Sequence, residues 1–175
     1  MKKIFVVAIS GLLCFNSCKN ADDSKSNYMR NNNAVIYKAL ETGDVSKVDS
    51  TIIAKDAIDH GANGPNDIVG LDSIRKSIAD AHTMFSNMKM QVVSAMSDSI
   101  YSLEMVRMTG TSASAASGMP VGAPVDMTSV EVVRWKDGKA VEHWTYVDPR
   151  DMMKMMGGMQ PPPAPTHIDT VMKKK

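Results

Sequence analysis

Apolar positions recur along this chain with two different periods, and the change of period falls near its middle. From residue 31 to residue 85 the spacing is helical. Ile36, Ala39 and Leu40 share one face of a helix that Asn31 to Asn33 can cap and that Gly43 and Asp44 end. A second helix is expected from near Val45, with Val48 and Ile52 turned inward. "AIDH", residues 57 to 60, reads as extended, and "GANGPND" after it reads as a loop by its glycines, proline and asparagines. A third helix is predicted over Leu71 to Phe85, where Leu71, Ile74, Ile78 and Ala81 repeat every three to four residues.

After Phe85 the period drops to two. Met88, Met90 and Val92 alternate with Lys89 and Gln91, as in a strand with one buried face. "SDS" at 97 to 99 is a turn, and Ile100 to Gly110 a strand apolar on both faces. "TSASAASGMPVGAP" is a long small-residue loop. Val125 to Trp135 and Ala140 to Val147 form a hairpin around "KDGK". Pro149 opens a short last helix, Arg150 to Met156, and an irregular tail follows. Helices first and antiparallel strands afterwards predict an α+β fold, with a curved sheet wrapped around the N-terminal helices. Strands apolar on both faces imply that the outer face is covered too, as in a homodimer.

Composition changes this picture mainly at the N-terminus. The 175 residues are 43% hydrophobic and 22% charged with a formal net charge of +1, which suits one globular domain and gives no basic footprint for nucleic acid. Both cysteines, Cys14 and Cys18, lie in the first 18 residues, so no disulfide framework or cysteine zinc site is expected in the folded part. Lys2 and Lys3 followed by the apolar run Ile4 to Phe15 read as an export signal, too short to span a bilayer. "FNSC" resembles a lipobox, with Ser17 before Cys18 as the lipidated residue. The expected organisation is a signal peptide over 1–17, a polar tether over 18–27, one domain over 28–157 and a disordered tail over 158–175. That puts the domain in the cell envelope, held to the membrane by its lipid.

Alternation divides "VEHWTYVDP", residues 141 to 149, between two faces: Glu142, Trp144, Tyr146 and Asp148 on one, His143 and Thr145 on the other. The first set suits a polar-ended, apolar-walled pocket. It equally suits a core or dimer wall for the aromatics, a helix cap for Asp148 and a surface pair between Glu142 and Arg134. Which of Arg134 and Trp135 approaches this stripe stays open. His82 and His167 read as exposed.

The chain resembles the SnoaL-like polyketide (ester) cyclases of the NTF2-like superfamily. The residues that carry the resemblance are "NAVIYKALETGDVSKVD", "DAIDHG", "GLDSIRKSI", "GTSASAASGMPVGAPVDMTSVEVVRWKDGKAVEHWTYVD" and "MMKMMG", in that order. The resemblance implies a cone-shaped, often dimeric α+β barrel and a small-molecule ligand in the cone. It also implies aldol-type ring closure with no metal or organic cofactor. It points to Asp148 as the acid/base aspartate and His60 as its helper; the strand alternation, and not the resemblance, offers Trp144, Tyr146, Glu142 and Arg134 as the substrate wall. The loop between Gly110 and Gly118 departs from the family in lacking a histidine and bulky groups. The alternatives are a non-catalytic ligand- or partner-binding module, and Cu(I) binding by the methionines of "MMKMMGGM", residues 152 to 159.

Overall fold

A computed structural model describes residues 20–61 and 66–155. The elements are α1 (Asn20–Thr42), β1 (Ile53–His60), β2 (Ile68–Val69), α2 (Leu71–Met84), β3 (Phe85–Ser97), β4 (Tyr101–Ser112), β5 (Pro124–Lys136), β6 (Lys139–Val147) and α3 (Pro149–Met155). The six strands form one sheet in the order β2-β1-β6-β5-β4-β3. All neighbours are antiparallel except β1 and β6, which run parallel. The sheet is therefore mixed, and β6 is inserted between the first strand and the hairpin partner that precedes it. This parallel pair is the one departure from the antiparallel sheet expected.

The helices differ from the sequence pattern in two places. α1 begins at Asn20, so the later part of the expected tether is already helical and the Asn31–Asn33 run lies inside the helix. Asn33 is buried there and donates from Nδ2 to Ser102 Oγ at 3.3 Å. The expected second helix is a pair of tight turns. The Asp44 carboxylate accepts the Ser46 N–H at 2.9 Å and that of Asp49 accepts the Thr51 N–H at 2.8 Å. Such local side-chain bonds compete with a helical ladder. Val48 and Ile52 still point inward, at 0% and 8% exposure. The signal peptide, Cys18 and the tail lie outside the described residues.

The main core joins Ala39 of α1, Val48 and Ile52 of the turns, Ile53 and Ala57 of β1, and Ile74 and Ile78 of α2. A smaller cluster packs Met29 against Val133 and Trp135. α1 stops at Gly43, whose φ of +73° suits glycine and whose N–H bonds the Ala39 carbonyl at 2.7 Å. His82, expected to be exposed, is half-buried over this cap and bonds the Leu40 carbonyl from Nδ1 at 3.0 Å. A Cβ on Gly43 would lie 2.7 Å from the His82 ring. Register shifts break the ladder twice between β3 and β4 and once between β5 and β6. Bulges of this kind bend a strand and increase its twist, so the sheet curves around the helices and leaves a cavity between them.

Candidate functional site

The cavity has a volume of about 250 Å³ and lies between the concave face of the sheet and helices α1 and α2. Its walls are chiefly apolar, with Ile36, Leu40, Ile74 and Ile78 on the helical side and Met90, Met108 and Met127 on the sheet. Strand alternation sends Glu131, Val133 and Trp135 of β5 and His143 and Thr145 of β6 to this side. Parallel pairing sets Asp59 of β1 beside His143, and antiparallel pairing sets Val133 on its other flank.

His143 is held from both ends. Its Nδ1 lies 2.9 Å from Asp59 Oδ1 and its Nε2 lies 2.9 Å from Glu131 Oε2. Thr145 Oγ1 also donates to Glu131 Oε2, at 2.7 Å, and the Ser129 hydroxyl donates to Glu131 Oε1. Glu131 is thus engaged on both oxygens. Asp59 uses only Oδ1, and its side chain lines the cavity while being 9% exposed. The His143 side chain keeps 31% of its surface accessible, and it too lines the cavity.

This arrangement sets the charges. Burial alone would lower the His143 pKa, but the bonds to Asp59 and Glu131 outweigh burial and push it up to about 9. Burial alone would raise the Glu131 carboxyl. The bond from His143, with help from Ser129 and Thr145, holds it below the usual value. The imidazolium form is therefore the resting state near neutral pH. Beyond Glu131, Glu104 of β4 sits directly across the ladder and accepts the Tyr37 hydroxyl at 2.7 Å. Burial first, and Glu104 second, push the Tyr37 phenol above its ordinary range.

The residues expected to form the site lie elsewhere. The division of 141–149 into two faces holds, but its sense is reversed: His143 and Thr145 face the cavity. Trp144 and Tyr146 lie on the convex side, Tyr146 at 59% exposure. His60 pairs with Trp144 and stacks on it at a centroid distance of 4.8 Å. Its Nδ1 lies 3.1 Å from Asp67 Oδ1. Arg134 Nε donates to Glu142 Oε2 at 2.6 Å across the hairpin, so Arg134 is the one that approaches the stripe, and Trp135 lines the cavity on the opposite face. Glu142 borders the cavity but spends its carboxylate on Arg134.

Asp148 does not line the cavity. It accepts the Arg150 N–H at 2.9 Å, pairs with the Arg150 guanidinium at 2.6 Å, and so caps α3. The Arg150 side chain holds its carboxyl down to about 2, which suits a structural ion pair and not a proton carrier near neutral pH. His60 and Asp148 are not brought together by any bond. Asp59, His143 and Glu131 form the cluster in their place.

A readable signal for that cluster existed. Asp59 and Glu131 are acids in the middle of strand patterns, where a carboxylate needs a buried partner. Among the described residues no group of three or more His, Cys, Asp or Glu side chains is arranged to hold a metal ion. Met152 and Met153 are exposed on α3, and Met156 and Met159 lie outside the described residues.

A mixed, curved sheet closed by helices over an apolar cavity, with an acid–imidazole–acid cluster in its wall, defines a cone-shaped α+β domain built to hold a small molecule. The chain belongs to the SnoaL-like polyketide cyclase family, whose model matches residues 32–156. It is similar to the solved structure of TsrD from Streptomyces laurentii, with a TM-score of 0.66 at 13% identity over 76% of this chain and 97% of that one. It is similar to wild-type IdmH from Streptomyces antibioticus, with a TM-score of 0.61 at 25% identity over 74% and 98% of the two chains. AclR from Streptomyces galilaeus gives 0.62 at 22% identity over 79% and 90%. No curated protein matches the chain.

Proposed function

We propose that the domain binds a small, mostly apolar, carbonyl-bearing molecule in its cone and moves a proton on it without a cofactor. One observation supports this best: Asp59, His143 and Glu131 form a continuous hydrogen-bonded cluster in the wall of an apolar cavity. In the proposed step the free oxygen of Asp59 takes a proton from the carbon beside the carbonyl. The C–H bond breaks and its electron pair moves into the enolate. His143 bonds Oδ1 of Asp59 at 2.9 Å and so holds that carboxylate in place. Returning the proton elsewhere is an isomerisation. Attack of the enolate carbon on a second carbonyl in the same molecule is an aldol closure. IdmH is described as a putative polyketide cyclase and AclR as a putative hydroxylase, so the fold by itself does not choose the reaction.

Exchange of ketone α-protons in D2O, followed by NMR over a panel of aryl ketones, tests this reading. Wild type and Asp148→Asn are expected to catalyse exchange, and Asp59→Asn to lose it. Exchange that survives Asp59→Asn overturns the assignment. No exchange with any ketone favours the alternative, a non-catalytic ligand-binding module.

The same reading takes the protein as an envelope lipoprotein anchored through Cys18, supported by the apolar run and lipobox-like sequence before it. Palmitate labelling that persists in Cys18→Ala would sink it. It also takes the protein as a homodimer, since Tyr101, Met105 and Tyr146 leave large apolar groups exposed. Sedimentation of the folded domain as a monomer at high micromolar concentration would exclude that.

A further inference from the structure

The methionines of this chain stand in different settings. Met29, Met88 and Met119 are buried as core, and Met96, Met105, Met152 and Met153 are exposed. Met90, Met108 and Met127 are neither. They are half-buried, belong to neither core cluster, and line the cavity. Strand register sets them in one row: Met90 of β3 pairs with Met108 of β4, and Met108 pairs with Met127 of β5. Direct cross-strand partners have Cβ atoms roughly 5 Å apart, so the three side chains adjoin across the sheet.

This row is fixed in place and set apart from the charged part of the wall. β3 is the edge strand of the sheet, and the Met90 N–H bonds Glu41 Oε1 of α1 at 2.9 Å, which ties that edge to the helix. Val106 and Gly110 flank Met108 on the same face of β4 and carry no charge. The acid–imidazole–acid cluster begins at Glu131, four residues beyond Met127 on β5, about 13 Å along the strand. Across the cavity, α2 presents Ile78 and Ala81. A thioether is more polarisable than an alkyl group, and its sulfur attracts aromatic rings. Methionine is also unbranched, so a row of it can fit itself to a flat surface.

We propose that Met90, Met108 and Met127 form a thioether shelf that seats an aromatic ring of the ligand and so determines specificity. The ring lies between this shelf and α2, and the carbonyl end of the ligand extends toward Asp59. This rests on the cavity being the ligand site, as in the reading above. It narrows the ligand class from apolar carbonyl compounds in general to those with an uncharged aromatic ring at the end remote from the reacting carbon.

Isothermal titration of the whole protein with 4-phenylbutan-2-one and 4-cyclohexylbutan-2-one tests it. Transfer from water alone favours the more apolar cyclohexyl ring. The shelf should reverse that order, with the phenyl ketone bound about five-fold more tightly. Replacing all three by leucine, Met90→Leu with Met108→Leu and Met127→Leu, nearly conserves volume and removes the sulfur. That variant should lose the phenyl preference and still bind the cyclohexyl ketone. Met105→Leu, on the convex face of β4, should keep the preference. Methyl NMR of the wild type needs no variant to fold differently: the phenyl ketone should shift the Met90, Met108 and Met127 methyl signals and leave that of Met105 in place. Equal wild-type affinities, a phenyl preference that survives in the folded triple variant, or unmoved shelf signals overturn the proposal alone. If neither ketone binds, it falls together with the cavity as the ligand site.

Discussion

The two faces of β6 carry similar chemistry in different surroundings. On the concave face His143 lies between Asp59 and Glu131. On the convex face His60 lies against Asp67, which is half exposed, and stacks on Trp144. Each face has a histidine and carboxylates within hydrogen-bond reach. What separates them is the burial of the carboxylates: Asp59 and Glu131 are 9% and 10% exposed and Asp67 52%, while the two imidazoles are alike at 31% and 28%. Inside, two bonds to one imidazole overcome its burial and keep it charged. Outside, water reaches Asp67 and the Arg150 guanidinium and screens their pairs, so such bridges add order more than they add stability. Residue type alone says little about function; the same types form a doubly bonded acid–imidazole–acid cluster only where the carboxylates are buried.

Removing the inner histidine breaks this contrast most severely. His143→Gln leaves two buried carboxylates without a cation, and losing one partner of a buried pair costs about 3–5 kcal/mol. His60→Gln should cost about 1 kcal/mol, the scale of one aromatic contact. Urea denaturation of both variants measures the difference, and equal losses would show that the faces are not distinct.

Changing pH sharpens the contrast next. The folded His143 pKa of about 9 lies above its ordinary 6.5, so its stabilisation is complete below 6.5 and is lost as pH rises through 9. The difference corresponds to about 3 kcal/mol, read as a falling melting temperature between those limits. Glu131 works in the opposite sense, since its depressed pKa gives stability that disappears in acid. NMR of the imidazole should find the His143 transition near 9, and a transition near 6.5 would contradict the double pairing. The smallest effect belongs to the convex pairs: Glu142→Gln and Asp148→Asn should leave global stability unchanged within error, apart from fraying at α3.

Much of the fold was legible. The change from helical to alternating spacing, the hairpin at Gly138 and the inward turn of Ile74 and Ile78 all follow from periodicity. The site was legible only by halves. Alternation separates His143 from Trp144, but a period of two carries no sign; it cannot say which set faces inward. That sign is fixed by β1, which lies beside β6 through a pairing of residues far apart in sequence. Aromatic side chains drew the expected wall to Trp144 and Tyr146, because apolar groups suit a pocket and an outer apolar face equally. The turns at 44–51 were missed for a different reason: Asp44 and Asp49 satisfy nearby amides themselves, a local competition that apolar spacing does not register.

The parallel seam between β1 and β6 has a consequence for how the protein is made. Asp59 and His143 are separated by 84 positions, and β1 pairs otherwise only with the two-residue β2. A chain emerging from synthesis must therefore keep an unfilled strand edge until almost its last strand has been delivered. A chain cut before β6 presents that edge and lacks the acid–imidazole–acid cluster. Closing the β1 edge and completing the cluster thus coincide, and termination before residue 143 would yield a sticky fragment in place of a weakened domain.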